Sequence, residues 1–166
     1  MIVGAFKLND KAITPTYGSD SAACFDLYAC LVENTSIGCY NENNEKLSKY
    51  VLHQQFTVYS GERVLVPTGF IFDIPEDHSM RIHPRSGLSL KNGIVVANCE
   101  GIVDADYVQQ TYVMLLNISD KPFTICDGDR IAQGEMTPVF RPEVILSDSA
   151  PEEKTNRTGG FGSTGV

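Results

Sequence analysis

Apolar residues along this chain recur in short runs rich in Val, Ile, Phe and Tyr, broken at intervals by Gly, Pro, Asn and Asp. No long segment sustains the 3.6-residue apolar period of an amphipathic helix, so the pattern predicts an all-β chain. RVLVPTGFIFDI, from Arg63 to Ile74, predicts two strand pieces interrupted at Pro67 and Gly69, residue types that mark bends or sheet edges. QTYVMLLNIS, from Gln110 to Ser119, predicts another strand, and Asp127-Gly128 predicts a hairpin turn feeding the β-like run IAQGEMTPVF.

Two stretches break this texture. The segment ENTSIGCYNENNEKLSKY, from Glu33 to Tyr50, is rich in Asn and Glu, and its polarity predicts a long loop or insertion with a helical turn near Lys46. From Ser147 the chain runs through a charged linker into a glycine-rich end with too few apolar residues for a core strand. The expected organisation is therefore one β core over 1–146, carrying the polar insertion 33–50, followed by a linker and tail over 147–166. No internal repeat at a fixed period is present.

Composition narrows the function classes. With 166 residues and 42% apolar content, a single domain is expected. A net charge of -8 argues against a nucleic-acid surface held by counterion release, which needs clustered Lys and Arg. A small anionic ligand needs only a few arginines and oriented amides, and the chain has Arg63, Arg81, Arg85, Arg130, Arg141 and Arg157. Five cysteines, Cys24, Cys30, Cys39, Cys99 and Cys126, are odd in number and form no CxxC pair, which argues against a disulfide framework or thiolate zinc site and fits a reducing compartment. MIVGAFKLND lacks a basic region followed by an apolar run, and no stretch approaches the ~20 apolar residues of a membrane span. A soluble, intracellular, cytoplasmic protein is expected.

Three segments could carry chemistry. In PRSGLSLKNG, Pro84 to Gly93, Ser86 suits an N-cap and Asn92-Gly93 a stop, so a short helix is predicted whose N-terminal amides, with Arg85 beside them, fit a phosphate; an ordinary capped turn with a solvated arginine fits equally. In GIVDADY, Gly101 to Tyr107, alternation sends Asp104 and Asp106 to opposite faces, so they are not a paired acid and base. One of them fits the task of orienting a water for attack on phosphorus, and a loop Asx-turn is the commoner alternative. RTGGFGSTG, Arg157 to Gly165, lacks the Gly-Lys-Ser/Thr ending of a Walker loop. Its Arg, Phe, hydroxyls and glycine amides suit closure over an anionic, aromatic ligand, with low-complexity sequence as the alternative. His53, His78 and His83 lack metal-ligand spacing, and Cys24, Cys99 and Cys126 are expected to fill cores.

In order and over nearly the whole chain, five segments resemble the motifs of the trimeric dUTPase family: AACFDLYA (Ala22 to Ala29), PRSGLSLKNG, NCEGIVDADY (Asn98 to Tyr107), GDRIAQ (Gly128 to Gln133) and RTGGFGSTG. The resemblance implies a jelly-roll-like β-barrel, a homotrimer whose active sites are shared between subunits, a flexible glycine-rich C-terminal lid, and magnesium-dependent cleavage of dUTP to dUMP and pyrophosphate. It implies that Asp104 holds the water that attacks the α-phosphorus and that Tyr107 packs against deoxyribose. Asn98 and the backbone at Gly101, Ile102 and Val103 would read uracil, while Arg85, Ser86, Gly87 and Gln133 would hold the phosphates. Asp26 would contact magnesium through water, and Arg157, Phe161, Gly162 and Ser163 would close over the substrate with Phe161 on the base. In-line attack on phosphorus suits this set, because it needs positioning and charge neutralisation rather than a nucleophilic side chain.

The chain departs from the family pattern in placing Val108-Gln109-Gln110 after Tyr107, and Arg157 one residue nearer Phe161 than the commoner spacing. A dCTP deaminase or bifunctional deaminase shares the fold and the phosphate motif, but the Phe161 tail and GIVDADY favour a dUTPase. A regulatory protein built on the same scaffold is a further alternative, with the 33–50 segment as its candidate partner surface.

Overall fold

The computed structural model describes residues 2–156 and Gly159. In chain order its elements are β1 (Gly4–Lys7), β2 (Thr16–Tyr17), β3 (Phe25–Tyr28), β4 (Ser36–Tyr40), β5 (Lys46–Tyr50), β6 (Gln55–Val58), β7 (Arg63–Pro67), β8 (Phe70–Asp73) and β9 (His78–His83). They continue as α1 (Ser86–Asn92), β10 (Ile94–Val96), β11 (Gly101–Val103), β12 (Tyr112–Asn117), β13 (Phe123–Cys126) and β14 (Arg130–Pro138). Two five-stranded antiparallel sheets, ordered β10-β12-β7-β4-β5 and β11-β9-β14-β3-β2, are joined by the pairs β1-β8 and β13-β6, an all-β jelly-roll-like arrangement.

Period-2 alternation builds the core between the sheets. Val64 and Val66 of β7, Val113 and Leu115 of β12, and Ile37 and Cys39 of β4 face inward from one sheet. Phe25 and Leu27 of β3, Met80 and Ile82 of β9, and Ala132 of β14 meet them from the other. The outer face of the second sheet is thereby left to the intervening residues Asp26, Arg81, His83, Gln133 and Glu135, all half-buried. Burial on one face fixes register, and register places the polar groups of the other.

Both strand pieces expected between Arg63 and Ile74 form, as β7 and β8, with the break at Pro67–Gly69; Gly69 has φ 76° and passes against Ala12 and Cys30 so closely that a Cβ there would lie 2.7 Å from Ala12 Cβ. The strand expected after Gln110 is β12.

The 33–50 stretch is not a loop, and no helical turn forms near Lys46. It is a β-hairpin, β4 against β5, with Ser36 opposite Tyr50 and Tyr40 opposite Lys46. Asparagine, read as loop composition, makes the turn: Asn41 Oδ1 accepts the amides of Asn43 at 3.0 Å and Glu45 at 2.9 Å, and Asn44 takes φ 63°. Lys49 Nζ reaches the buried Glu62 at 2.7 Å, tying the hairpin to the body of the domain.

The expected hairpin at Asp127-Gly128 is also replaced. The turn exists, with Gly128 at φ 80°, but β13 pairs with β6 while β14 pairs with β3 and β9. It passes the chain between sheets, anchored by the Leu31 amide on Asp127 Oδ1 at 2.7 Å and the Gly128 amide on the Ala29 carbonyl at 2.9 Å. All five cysteines are free, as expected, but only Cys30 and Cys39 are buried. Cys24 is half-buried and Cys99 and Cys126 are exposed, because each lies at a strand end or turn rather than at an inward position.

Candidate active site

One polar cluster is built by β3, β14 and the segment leaving β9. Asp26 and Gln133 are register partners on the outer face, and His83 stands opposite Gln133 on the other side. Arg130 lies three residues before Gln133, an odd offset that would put the two on opposite faces of a regular strand. The ladder slips between Arg130 and Ala132, so Arg130 pairs with Tyr28 and shares the face of Asp26. Its Nη1 then donates to Asp26 Oδ2 at 3.1 Å.

Arg85 completes the cluster. Its Nε lies 3.3 Å from Asp26 Oδ1, its Nη1 donates to the Arg130 carbonyl at 3.0 Å, and Gln133 Nε2 donates to the Pro84 carbonyl at 3.0 Å. The backbone stays extended through Arg85, at φ -92° and ψ 126°, so Arg85 and not Ser86 occupies the N-cap position and makes no side-chain cap bond. Helix α1 starts at Ser86 and ends at Gly93 in the left-handed conformation, with Gly93 N–H on the Ser89 carbonyl. Ser86 and Gly87 are exposed at the helix start, and a Cβ at Gly87 would meet nothing within 4 Å. Two guanidiniums, a carboxamide and the first amides of a helix thus converge on open space, a disposition suited to an anion.

A second group lies along β11. Gly101, Ile102 and Val103 pair with Ile82, Arg81 and Met80 of β9, and Asn98 is exposed in the bend before them, where the Glu100 amide donates to the Asn98 carbonyl at 2.7 Å. Strand alternation stops at Val103. The Tyr107 amide donates to the Asp104 carbonyl at 3.1 Å, and this turn brings Asp104 and Asp106, expected on opposite faces, to the rim of one open cavity of about 490 Å³ with Glu76, Ala105 and Arg141. Tyr107 Oη donates to the Gln110 carbonyl at 3.0 Å, and Gln110 Nε2 donates to Tyr112 Oη at 2.7 Å, so the divergent Val108-Gln109-Gln110 stretch is held by an aromatic pair.

The two groups do not meet within a chain. Val103 pairs with Met80, which sets Asp104 level with Ser79, whereas Arg85 follows His83 at the opposite end of β9. Six extended residues at ~3.3 Å each separate those levels by about 20 Å. The expected lid residues Arg157, Phe161, Gly162 and Ser163 lie outside the described residues.

Sequence reasoning quoted Arg130 within GDRIAQ but gave it no role; the signal was its charge beside a turn, and only the bulge explains why it turns toward Asp26. A third grouping was missed altogether: ligand atoms of Cys24, His83 and Glu135 lie within 4.8 Å of one another on the same outer face. Burial, and next the charge of Glu135, push the Cys24 thiol pKa up.

Comparison with known proteins follows this geometry. A family model described as dUTPase matches residues 50–165. The chain is 41% identical over 152 residues to a deoxyuridine 5'-triphosphate nucleotidohydrolase of Rhizobium leguminosarum bv. trifolii, covering 92% of this chain and 85% of that one. It is 39% identical over 153 residues to the protein of the same name from Caulobacter vibrioides, with the same coverage of each. Among solved structures it resembles the Staphylococcus bacteriophage 80alpha dUTPase with dUPNHPP, at a TM-score of 0.77 and 20% identity, over 99% of each chain. It also resembles a dUTPase from Streptococcus mutans, at a TM-score of 0.65 and 19% identity, over 86% of this chain and 98% of that one.

Proposed function

The chain belongs to the dUTPase family, and we propose that it hydrolyses dUTP to dUMP and pyrophosphate at sites assembled from more than one subunit of a homotrimer. The observation that carries the shared-site reading is the separation of about 20 Å, at ~3.3 Å per extended residue, between the Asp104 turn and the Arg85 cluster. Neither half is a complete site: the Arg85 end has anion donors and lacks a free base, and the Asp104 end has carboxylates and lacks converging donors. Cyclic symmetry brings one end of a subunit against the other end of its neighbour and completes both.

In this reading Arg85, Ser86, Gly87 and Gln133 receive the phosphates, and Arg130 holds Asp26 in place. Asn98 and the β11 backbone read the uracil edge, and Tyr107, fixed by its bond to Gln110, presents its ring to deoxyribose. Asp104, exposed and level with the turn, orients the attacking water and takes its proton. Arg157, Phe161, Gly162 and Ser163 close over the bound nucleotide and exclude solvent.

Asp26 fits a role beside magnesium. It is the one carboxylate within the Arg85 cluster, half-buried and already shared between two guanidiniums, which is a poor cation cage alone but suits an ion bound chiefly by phosphate oxygens and water. When bound, magnesium neutralises charge on the phosphate oxygens. Among the structural relatives, the description of the phage phi11 dUTPase names a coordinated structural Mg(II) ion.

The deaminase alternative is not favoured, since both named relatives are dUTP nucleotidohydrolases. No helix among the described residues is long and apolar enough to cross a membrane. A panel of deoxynucleotides and ribonucleotides, read for pyrophosphate and ammonia, tests the proposal together with Asp104→Asn. Pyrophosphate from dUTP, with a loss of about 10² to 10⁴ in kcat for the variant, is expected. Ammonia from dCTP, or an unimpaired variant, overturns it.

A further inference from the structure

Outside the nucleotide site, the outer face of the second sheet carries a soft ligand set. Continuing the ladder in which Phe25 pairs with Gly134 puts Cys24 level with Glu135, while His83 stands opposite Gln133, one position along β14 on the same face. The three side chains are half-buried, come from three neighbouring strand positions, and hold their ligand atoms within 4.8 Å of one another. His83 Nε2 already lies 3.1 Å from Glu135 Oε2. Ligands at ordinary zinc distances of about 2.0 to 2.3 Å stand roughly 3.3 to 3.8 Å apart in a tetrahedron, so the closure required is on the order of 1 Å.

The surroundings suit a cation as well. On the far side of the imidazole, His83 Nδ1 faces Glu100 Oε1 at 3.8 Å, the outer carboxylate position that orients a metal-bound histidine. Glu100 also engages Arg81 at 3.0 Å, which occupies the one cation opposite Glu135 in the ladder.

We propose that Cys24, His83 and Glu135 form a binding site for a thiophilic divalent cation of the zinc class, separate from the magnesium that accompanies the nucleotide. Thiolate and imidazole select such an ion over magnesium, which takes oxygen ligands. Binding displaces the thiol proton to solvent, and the thiolate and carboxylate balance the ion's two charges. Three protein ligands leave a fourth position for water. The ion would pin β3, β14 and β9 one row below the Asp26–Gln133 pair, adding stability to the support of the phosphate cluster.

The test titrates the untagged full-length protein with Co²⁺ in excess Mg²⁺. A thiolate-to-cobalt charge-transfer absorption that saturates at one ion per chain and is displaced by Zn²⁺ is expected. It should vanish in Cys24→Ser and need at least tenfold more Co²⁺ in His83→Ala and Glu135→Gln. No such band, or a band that survives in Cys24→Ser through Cys99 or Cys126, overturns the site. Alkylation of wild-type protein, mapped by peptide mass, decides independently of whether a variant folds: Zn²⁺ should protect Cys24, and equal labelling with and without it refutes the proposal.

Discussion

Asp26 and Arg130 meet because β14 carries one extra residue. The register slip between Arg130 and Ala132 turns the guanidinium to the face of Asp26, where Nη1 donates to Oδ2 at 3.1 Å, while Arg85 approaches the other carboxylate oxygen at 3.3 Å. Asp26→Asn keeps the side-chain shape and removes the charge that both arginines hold and that an outer-sphere magnesium would need. The variant should fold normally, since Asp26 lies on the outer face of its sheet. Its magnesium requirement should rise by about 10- to 100-fold, in line with other outer-shell substitutions. A magnesium titration of kcat/KM checks this, and an unchanged midpoint would detach Asp26 from the metal.

Gly134 is where two inner faces leave no room. A Cβ there would lie 2.5 Å from Phe25 Cε2 and 2.7 Å from its Cζ, and Phe25 is itself packed edge-on against Tyr17 with ring centroids 5.7 Å apart. Gly134→Ala should therefore cost ~1 to 3 kcal/mol by overpacking. In urea the midpoint should fall with the slope unchanged. A variant as stable as the parent would mean that Phe25 moves aside without cost.

The alternation of apolar residues made much of this fold readable. Val64, Val66, Val113 and Leu115 announce their strands because inward positions must be apolar and a slip of one residue would expose them all. The β4–β5 hairpin was not readable, because β5 presents almost no apolar face and its register rests on backbone pairing and the Asn41 turn. Segments carrying the site were legible as motifs, but their arrangement was not. Arg130 gains its partner from a bulge that composition does not reveal, and the Cys24, His83 and Glu135 grouping arises only when β3, β14 and β9 align. Sequence spacing measures distance along a strand, and these ligands are neighbours across strands.

The expected lid can be removed without touching the core, whose last member among the described residues is Ala132. Truncation before Asn156 should leave the thermal midpoint within the error of the intact protein while reducing kcat/KM for dUTP. Calorimetry and steady-state kinetics on the same preparation check both halves. A large fall in midpoint would assign the tail a structural role, and an undiminished kcat/KM would deny it a catalytic one.

Shared sites make a sharper prediction. Asp104→Asn subunits lack the base and truncated subunits lack the tail, so each parent should be nearly inactive. If the Asp104 turn and the tail reach a given site from different chains, a mixed trimer contains some sites in which an intact Asp104 from a truncated subunit faces an intact tail from an Asp104→Asn subunit. Cyclic symmetry repeats one heterologous interface around the ring, so such sites occur whenever the two kinds are adjacent in the right order. Mixing under conditions of subunit exchange should then restore activity that neither parent has, with a dependence on mixing ratio that peaks between the extremes. Exchange itself is verified by native mass measurement of the mixed species. Where mixed trimers are present and activity stays at the parental background, the turn and the tail belong to one chain, and the separation of about 20 Å along β9, at ~3.3 Å per residue, must be bridged in some other way. Sedimentation of the unmixed protein comes first, because a monomer at assay concentration would remove the shared site before any mixing.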